Sequence, residues 1–271
     1  MKIAVLFTSH RQFPELDFHP AFFDRTTRLK KEADILFHCN NAVIDEAALR
    51  QKLEKIPARS VTLRYAPQEN TGGYPYGQFE AISDMWRFAS LQQWDWVIHL
   101  HPDLFIADER PLLAALEAAE ADGKQLLVSK VFGHRAPSFA TDCFAFKPLP
   151  HIQPIFDAYR PFLKTPIVVA LETIFFIEVH RSGVPYVIAP RHRHGHYHRD
   201  IDGLGVWHEH DLRRVAAYLK SPSSRWWYTA EHCLRHPWTA LRTVTQSIGR
   251  SIKGIPQDSL PAQWSRIEEE D

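Results

Sequence analysis

The chain is short of cysteine, of any charge imbalance and of long apolar runs, and each shortage excludes something. Only three cysteines occur in 271 residues, Cys39, Cys143 and Cys233. An odd, widely spaced set builds neither a disulfide framework nor a zinc ribbon, and a reducing compartment is the simplest setting for it. Lys+Arg and Asp+Glu both number 32, so the formal net charge is zero. A protein built for nucleic-acid backbones carries a basic surplus, so nucleic acid is not an expected partner. No stretch reaches the roughly 18 apolar residues that span a bilayer. The opening MKIAVLFTSH holds one Lys and an apolar run too short for a signal peptide. It reads as a first β-strand, and a cytoplasmic location is expected. Also missing are an HExxH helix, a P-loop ending in Gly-Lys-Ser/Thr and a Gly-x-Gly-x-x-Gly fingerprint.

What the chain has in excess is histidine, 16 residues, and tryptophan, 8 residues. Histidine binds metals and titrates near neutral pH. Tryptophan suits sugar sites and membrane interfaces. The length is long for one domain and short for two. The expectation is a catalytic domain over residues 1–220 and an extension over 221–271, helical and basic-aromatic, with the acidic tail Glu268-Glu269-Glu270-Asp271.

Short apolar runs alternate with helical patterns. Strands are expected at 2–8, 33–39, 60–65, 94–100, 125–131, 141–146 and 186–189. Helices are expected at 21–32, 45–56, 110–121 and 168–181, with a further helix carrying Phe79, Ile82, Trp86 and Ala89 on one face. Between the third strand and that helix, Asn70 to Gly77 holds three of the eleven glycines and reads as a tight loop. The alternation predicts an α/β fold with a mainly parallel sheet flanked by helices.

The strongest chemical signal is Asp95 to Ile106. An apolar strand stops at His101-Pro102-Asp103 and then turns apolar again. Strand ends are where open α/β sheets build their sites. A turn with a capping Asp would look the same. The functional alternative is a metal and diphosphate site, in which a hard cation bridges a carboxylate to phosphate oxygens.

This stretch resembles the DxD strand of GT-A-fold glycosyltransferases of the bacterial surface-polysaccharide type, over roughly residues 1–210. Asp103 matches the second Asp, and His101 stands where the first would be, a departure that leaves a mixed His/Asp ligand set. The resemblance implies a GT-A-like sheet, a nucleotide-sugar donor and a glycan or lipid-linked acceptor. It implies Mn²⁺ or Mg²⁺ held by Asp103 with His208 or His210. It places donor contacts at Thr8, Ser9, Arg11, Asn40 and His101, and in the glycine-rich segment at Gly72, Gly73, Tyr76 and Gly77. Glu172 stands where inverting members carry their catalytic carboxylate, with Asp142 the alternative.

Two further readings remain open. His192, His194, His196 and His198, with Asp103, would suit a metal-dependent hydrolase. Trp226, Trp227, Tyr228 and Trp238, with five Arg/Lys between 225 and 253, suit peripheral membrane contact or a carbohydrate- or lipid-surface-binding module.

Overall fold

Every residue of the first strand, β1 (Ile3–Ser9), is buried, as is every residue of β2 (Asp34–Cys39) and β4 (Trp96–Leu100). Runs buried on both faces are the mark of central parallel strands covered by helices on each side. The computed structural model describes residues 1–9, 14–40, 44–67, 73–129, 137–164, 169–189, 203–209 and 211–220. By its internal packing the chain divides into Met1–Ala216 and Ala217–Asp271. The expected extension over 221–271 lies outside the described residues.

The remaining strands are β3 (Ser60–Tyr65), β5 (Leu104–Ile106), β6 (Leu126–Val128), β7 (Cys143–Phe146), β8 (Tyr186–Ile188) and β9 (Val206–His208). Among the described residues, seven of the nine strands form one sheet in the order β3-β2-β1-β4-β7-β6-β8. All run parallel except β7, which is antiparallel to both β4 and β6. β5 and β9 form a separate antiparallel pair. The fold is therefore α/β with a mainly parallel, GT-A-like sheet.

Alternation along β1 separates two cores. Ile3, Val5 and Phe7 face one cluster, and Ala4 and Leu6 face the other. The first cluster is covered by α3 (Glu46–Leu53) and α5 (Glu109–Ala121), through Leu49, Leu53, Leu112, Leu113 and Leu116. The second is covered by α4 (Gly73–Phe88), α6 (Gln153–Asp157) and α7 (Leu171–Ser182), through Phe79, Ile82, Met85, Phe156 and Phe175. Asp45 caps α3 by accepting from the Ala48 N–H, and Asp108 caps α5 by accepting from that of Arg110. Gly183, at φ 64°, closes α7 in the left-handed region. The last described helix, α8, is Leu212–Lys220.

Two local expectations are corrected. The single helix over 21–32 is two, α1 (His19–Arg25) and α2 (Leu29–Glu32). The break at Thr26 is held by a distant carboxylate. Glu109 accepts from the backbone N–H groups of Thr27, Arg28 and Leu29, satisfying donors that the start of a helix leaves open. The expected loop Asn70–Gly77 also differs, because α4 begins at Gly73 and takes Gly73 and Gly77 into the helix. Pro75 is tolerated in the first turn, where N–H groups have no intrahelical acceptor. Burial of Tyr76 and Phe79 on the sheet offsets the low helix propensity of the glycines.

Candidate active site

Sheet order decides where the site lies. After β3 the chain returns across the sheet and adds β4 on the other side of β1. The C-terminal ends of β1 and β4 therefore flank a topological switch point, the place where open α/β sheets bind ligands. Thr8 and Ser9 end β1, Asn40 follows β2 and His101 follows β4. Because β7 is reversed, its beginning lies at this same edge, and with it Asp142. The His101 N–H donates to the Asp142 carbonyl at 2.9 Å, and the Asn40 N–H to the Ser9 carbonyl at 3.2 Å.

The chain leaves β4 through a tight turn. The Leu104 N–H donates to the His101 carbonyl at 3.0 Å, with Pro102 at the second position, where its fixed φ suits a turn. His19 of α1 braces this turn from below, with its Nε2 2.7 Å from the Pro102 carbonyl. Since a carbonyl only accepts, the proton sits on Nε2. Burial pushes the His19 imidazole down to about 4, outweighing the hydrogen bond to Pro102 and the attraction of Asp103. Phe7 and Phe105 enclose the ring, at centroid distances of 4.8 and 5.0 Å.

Pairing of β5 with β9 then brings a distant segment to the turn. Leu104 lies opposite His208, and the Glu209 N–H donates to the Asp103 carbonyl at 3.3 Å. Gly205 fixes the approach of β9. Its φ is +74°, and its carbonyl accepts from the N–H groups of Ala107 and Asp108. A Cβ on Gly205 would collide with the Asp108 carbonyl.

The result is an imidazole between two carboxylates. His208 Nε2 lies 3.5 Å from Asp103 Oδ2, and His208 Nδ1 lies 3.6 Å from Asp142 Oδ2. Asp103 is buried, and Asp142 and His208 are partly so. These separations exceed direct hydrogen bonds. Among the described residues no three His, Cys, Asp or Glu side chains converge as a metal-holding group. A three-ligand protein cage is not what Mg²⁺ needs, since it is usually held by one or two carboxylates plus substrate phosphates. Mn²⁺ accepts the same oxygen donors. The Asp103–His208 pair, an oxygen and a nitrogen donor at 3.5 Å, fits as the protein's share of such a site.

A polar row supports the edge on the α4 face of the sheet. Thr8 Oγ1 lies 3.0 Å from His99 Nε2, and Gln78 of α4 donates to the Thr141 carbonyl and lies 3.4 Å from His99 Nδ1. Burial, helped by His101, holds His99 well below its ordinary value against the pull of Asp142 and Thr141. Farther along, His38 Nε2 and Arg64 Nε each lie 2.9 Å from Asp84 Oδ2 of α4. These two partners hold the Asp84 carboxyl well below the usual carboxylate range despite its burial.

Among the expected site residues, the structure brings together Asp103, Asp142, His101 and His208, with Thr8, Ser9 and Asn40 on the same edge. The Asn40 Oδ1 is buried and accepts no hydrogen bond from the described residues. Tyr76 is engaged elsewhere. It is buried against Tyr159 and Phe162, and its hydroxyl accepts from the Val169 N–H at 3.2 Å. Glu172 stands in the first turn of α7, and its carbonyl accepts from the Phe139 N–H at 3.1 Å. Its carboxylate makes no hydrogen bond or ion pair among the described residues. Arg11, Gly72 and His210 lie outside the described residues, as do His192, His194, His196 and His198, on which the hydrolase reading rests. His19, His99 and Gln78 were not singled out from the sequence. A histidine within a strand and one at a helix start carry no pattern that separates a buried brace from a ligand.

No family model and no curated protein matches the chain. Two solved structures are similar in outline. One is the 4-diphosphocytidyl-2C-methyl-D-erythritol synthase of Anaerococcus prevotii DSM 20548. It is 13% identical with a TM-score of 0.42, over 69% of this chain and 86% of that one. The other is the glycosyltransferase GlyE of Streptococcus pneumoniae TIGR4. It is 13% identical with a TM-score of 0.47, over 68% of this chain and 44% of that one. Among the described residues no helix is long and apolar enough to cross a membrane.

Proposed function

We propose that the protein is a glycosyltransferase that moves a sugar from a nucleotide-diphosphate donor to a glycan or lipid-linked acceptor. One observation carries the reading. Asp103, His208 and Asp142 meet at the sheet's switch point, with His208 within 3.6 Å of both carboxylates. Thr8, Ser9, Asn40 and His101 line the same edge and are assigned to the donor. The buried Asn40 Oδ1 supports this, because an acceptor with no partner among the described residues suits an N–H of the donor's base.

In this reading Asp103 and His208 would hold Mn²⁺ or Mg²⁺, whose positive charge would offset that of the departing diphosphate. A carboxylate removes the acceptor hydroxyl's proton as the oxygen attacks the anomeric carbon. Asp142 is favoured for this role over Glu172 because its carboxylate lies 3.6 Å from His208. A lipid-linked acceptor would accord with the aromatic and basic residues between 225 and 253, which lie outside the described residues.

Calorimetric titration of the full chain with uridine and guanosine diphosphates, each with Mn²⁺ or Mg²⁺, tests the proposal. Binding that depends on the cation and is lost in Asp103→Asn is expected. If no nucleoside diphosphate binds under any of these conditions, the proposal fails.

A further inference from the structure

The face that α4 lays on the sheet is largely apolar, with Tyr76, Phe79, Ile82 and Met85 buried. Gln78 breaks that pattern while being nearly as buried. An amide in such a place costs stability unless its polar atoms are matched. Its Nε2 has two hydrogens and two neighbours, the Thr141 carbonyl and His99 Nδ1. His99 Nδ1 thus shares the Thr141 carbonyl's neighbourhood with the amide, and on its other side His99 Nε2 lies 3.0 Å from Thr8 Oγ1. The low proton affinity of the buried His99 ring agrees with a neutral imidazole.

What the amide grips is the backbone immediately before Asp142. β7 begins only at Cys143, so Thr141 and Asp142 lie beyond the ladder with β4. Their two carbonyls are both engaged. Gln78 takes the Thr141 carbonyl, and the His101 N–H takes the Asp142 carbonyl. With both carbonyls held, the Asp142 carboxylate is presented to His208 at 3.6 Å.

We propose that Gln78, backed by His99 and Thr8, is a positioning residue that sets the Asp142 carboxylate against His208 and Asp103. What Asp142 then does rests on the glycosyltransferase reading, whereas the positioning itself does not. The row joins α4, β1, β4 and the start of β7, so a shift of α4 at Gln78 is passed to Asp142.

A double-mutant cycle in the full chain tests this. Wild type, Gln78→Met, Asp142→Asn and the double variant are titrated with uridine diphosphate and Mn²⁺, and each is melted. Gln78→Met keeps the helix's apolar surface and removes both donors. It is expected to weaken cation-dependent binding about tenfold in the wild-type background, because a displaced Asp142 no longer orients the His208 ring of the proposed cation pair. In the Asp142→Asn background it is expected to have less than about a twofold effect, because the group it positions is gone. Equal losses in the two backgrounds mean that Gln78 acts only through general stability, and the proposal falls.

Amide hydrogen exchange gives a second arm that needs no ligand. In Gln78→Met the His101 amide is expected to exchange on the order of tenfold faster relative to those of Val5 and Ile35. Unchanged relative exchange overturns the proposal. If wild type binds no nucleoside diphosphate, the donor reading fails by itself and the exchange arm decides this one. Should Gln78→Met not fold, Thr8→Val cuts the row at its far end and enters both arms in its place.

Discussion

His208 Nε2 and Asp103 Oδ2 lie 3.5 Å apart because β9 pairs with the strand that leaves the His101-Pro102-Asp103 turn. Neither residue reaches the other by local chain geometry. The contact exists only if the two short strands pair in the register that sets Leu104 opposite His208. A one-residue slip would turn His208 to the other face of the small sheet.

Gly205→Ala attacks the register itself. The position has φ +74°, and a Cβ there meets the Asp108 carbonyl, which is backbone and does not yield. A loss of roughly 2–4 kcal/mol is expected from strain and displacement together. Urea denaturation reads the loss, and nucleotide binding should fall further than the stability change alone explains. An alanine variant as stable as wild type would show that β9 is not fixed at this point.

Asp103→Asn and His208→Gln separate charge from fold. Each keeps side-chain volume and removes one donor of the proposed cation pair. Cation-dependent binding of a nucleoside diphosphate should drop by more than about tenfold in each, on the scale of one charge-assisted contact. Melting temperatures should stay within a few degrees of wild type. Retained cation dependence in both variants would place the cation elsewhere.

The buried histidines make stability depend on pH. His19 in the folded protein has its proton affinity lowered from 6.5 to about 4. Between those values the unfolded chain binds a proton that the folded one does not, so stability rises with pH across that window and levels off above it. At about 1.4 kcal/mol per pH unit, the His19 share is about 3 kcal/mol. His99, shifted in the same direction, steepens the same limb. His19→Leu should reduce the slope between pH 4 and 6.5 by about one proton. Chemical denaturation at a series of pH values measures this, and an unchanged slope would contradict a neutral His19.

Glu109→Ala removes the carboxylate that takes three backbone N–H groups at the start of α2. About 2 kcal/mol of destabilisation is expected, in the range of a lost cap and a charge-assisted bond. Glu109→Gln should lose less, since the amide still offers one acceptor. Exchange protection of the Leu29 amide checks that the loss is local.

Much of the sheet was legible because burial writes itself into apolar runs. β1, β2, β3 and β4 lie within a residue or two of their expected spans, and strand–helix alternation predicted the mainly parallel sheet. The direction of β7 was not legible, since Cys143-Phe144-Ala145-Phe146 has the same composition whichever way it runs. The β5–β9 pair escaped notice because three-residue strands show no period. The glycines at 73 and 77 point to a loop by propensity, and only the burial of Tyr76 and Phe79 overrides it. Asp103 stood out as an acid closing an apolar strand. Gln78 and His99 did not, because their role depends on partners contributed by four separate segments.

The reversed direction of β7 also divides the molecule for anyone wishing to modify it. The start of that strand stands at the ligand edge, so the turn that follows it, through the exposed Pro150 and His151, emerges at the opposite rim. A fluorophore or a peptide insert at that turn would ride on the domain without entering the crevice. The same graft ahead of Cys143 would fall beside Asp142, His101 and His208. The strand thus marks a tolerant pole and an intolerant one, with four residues of sheet between them.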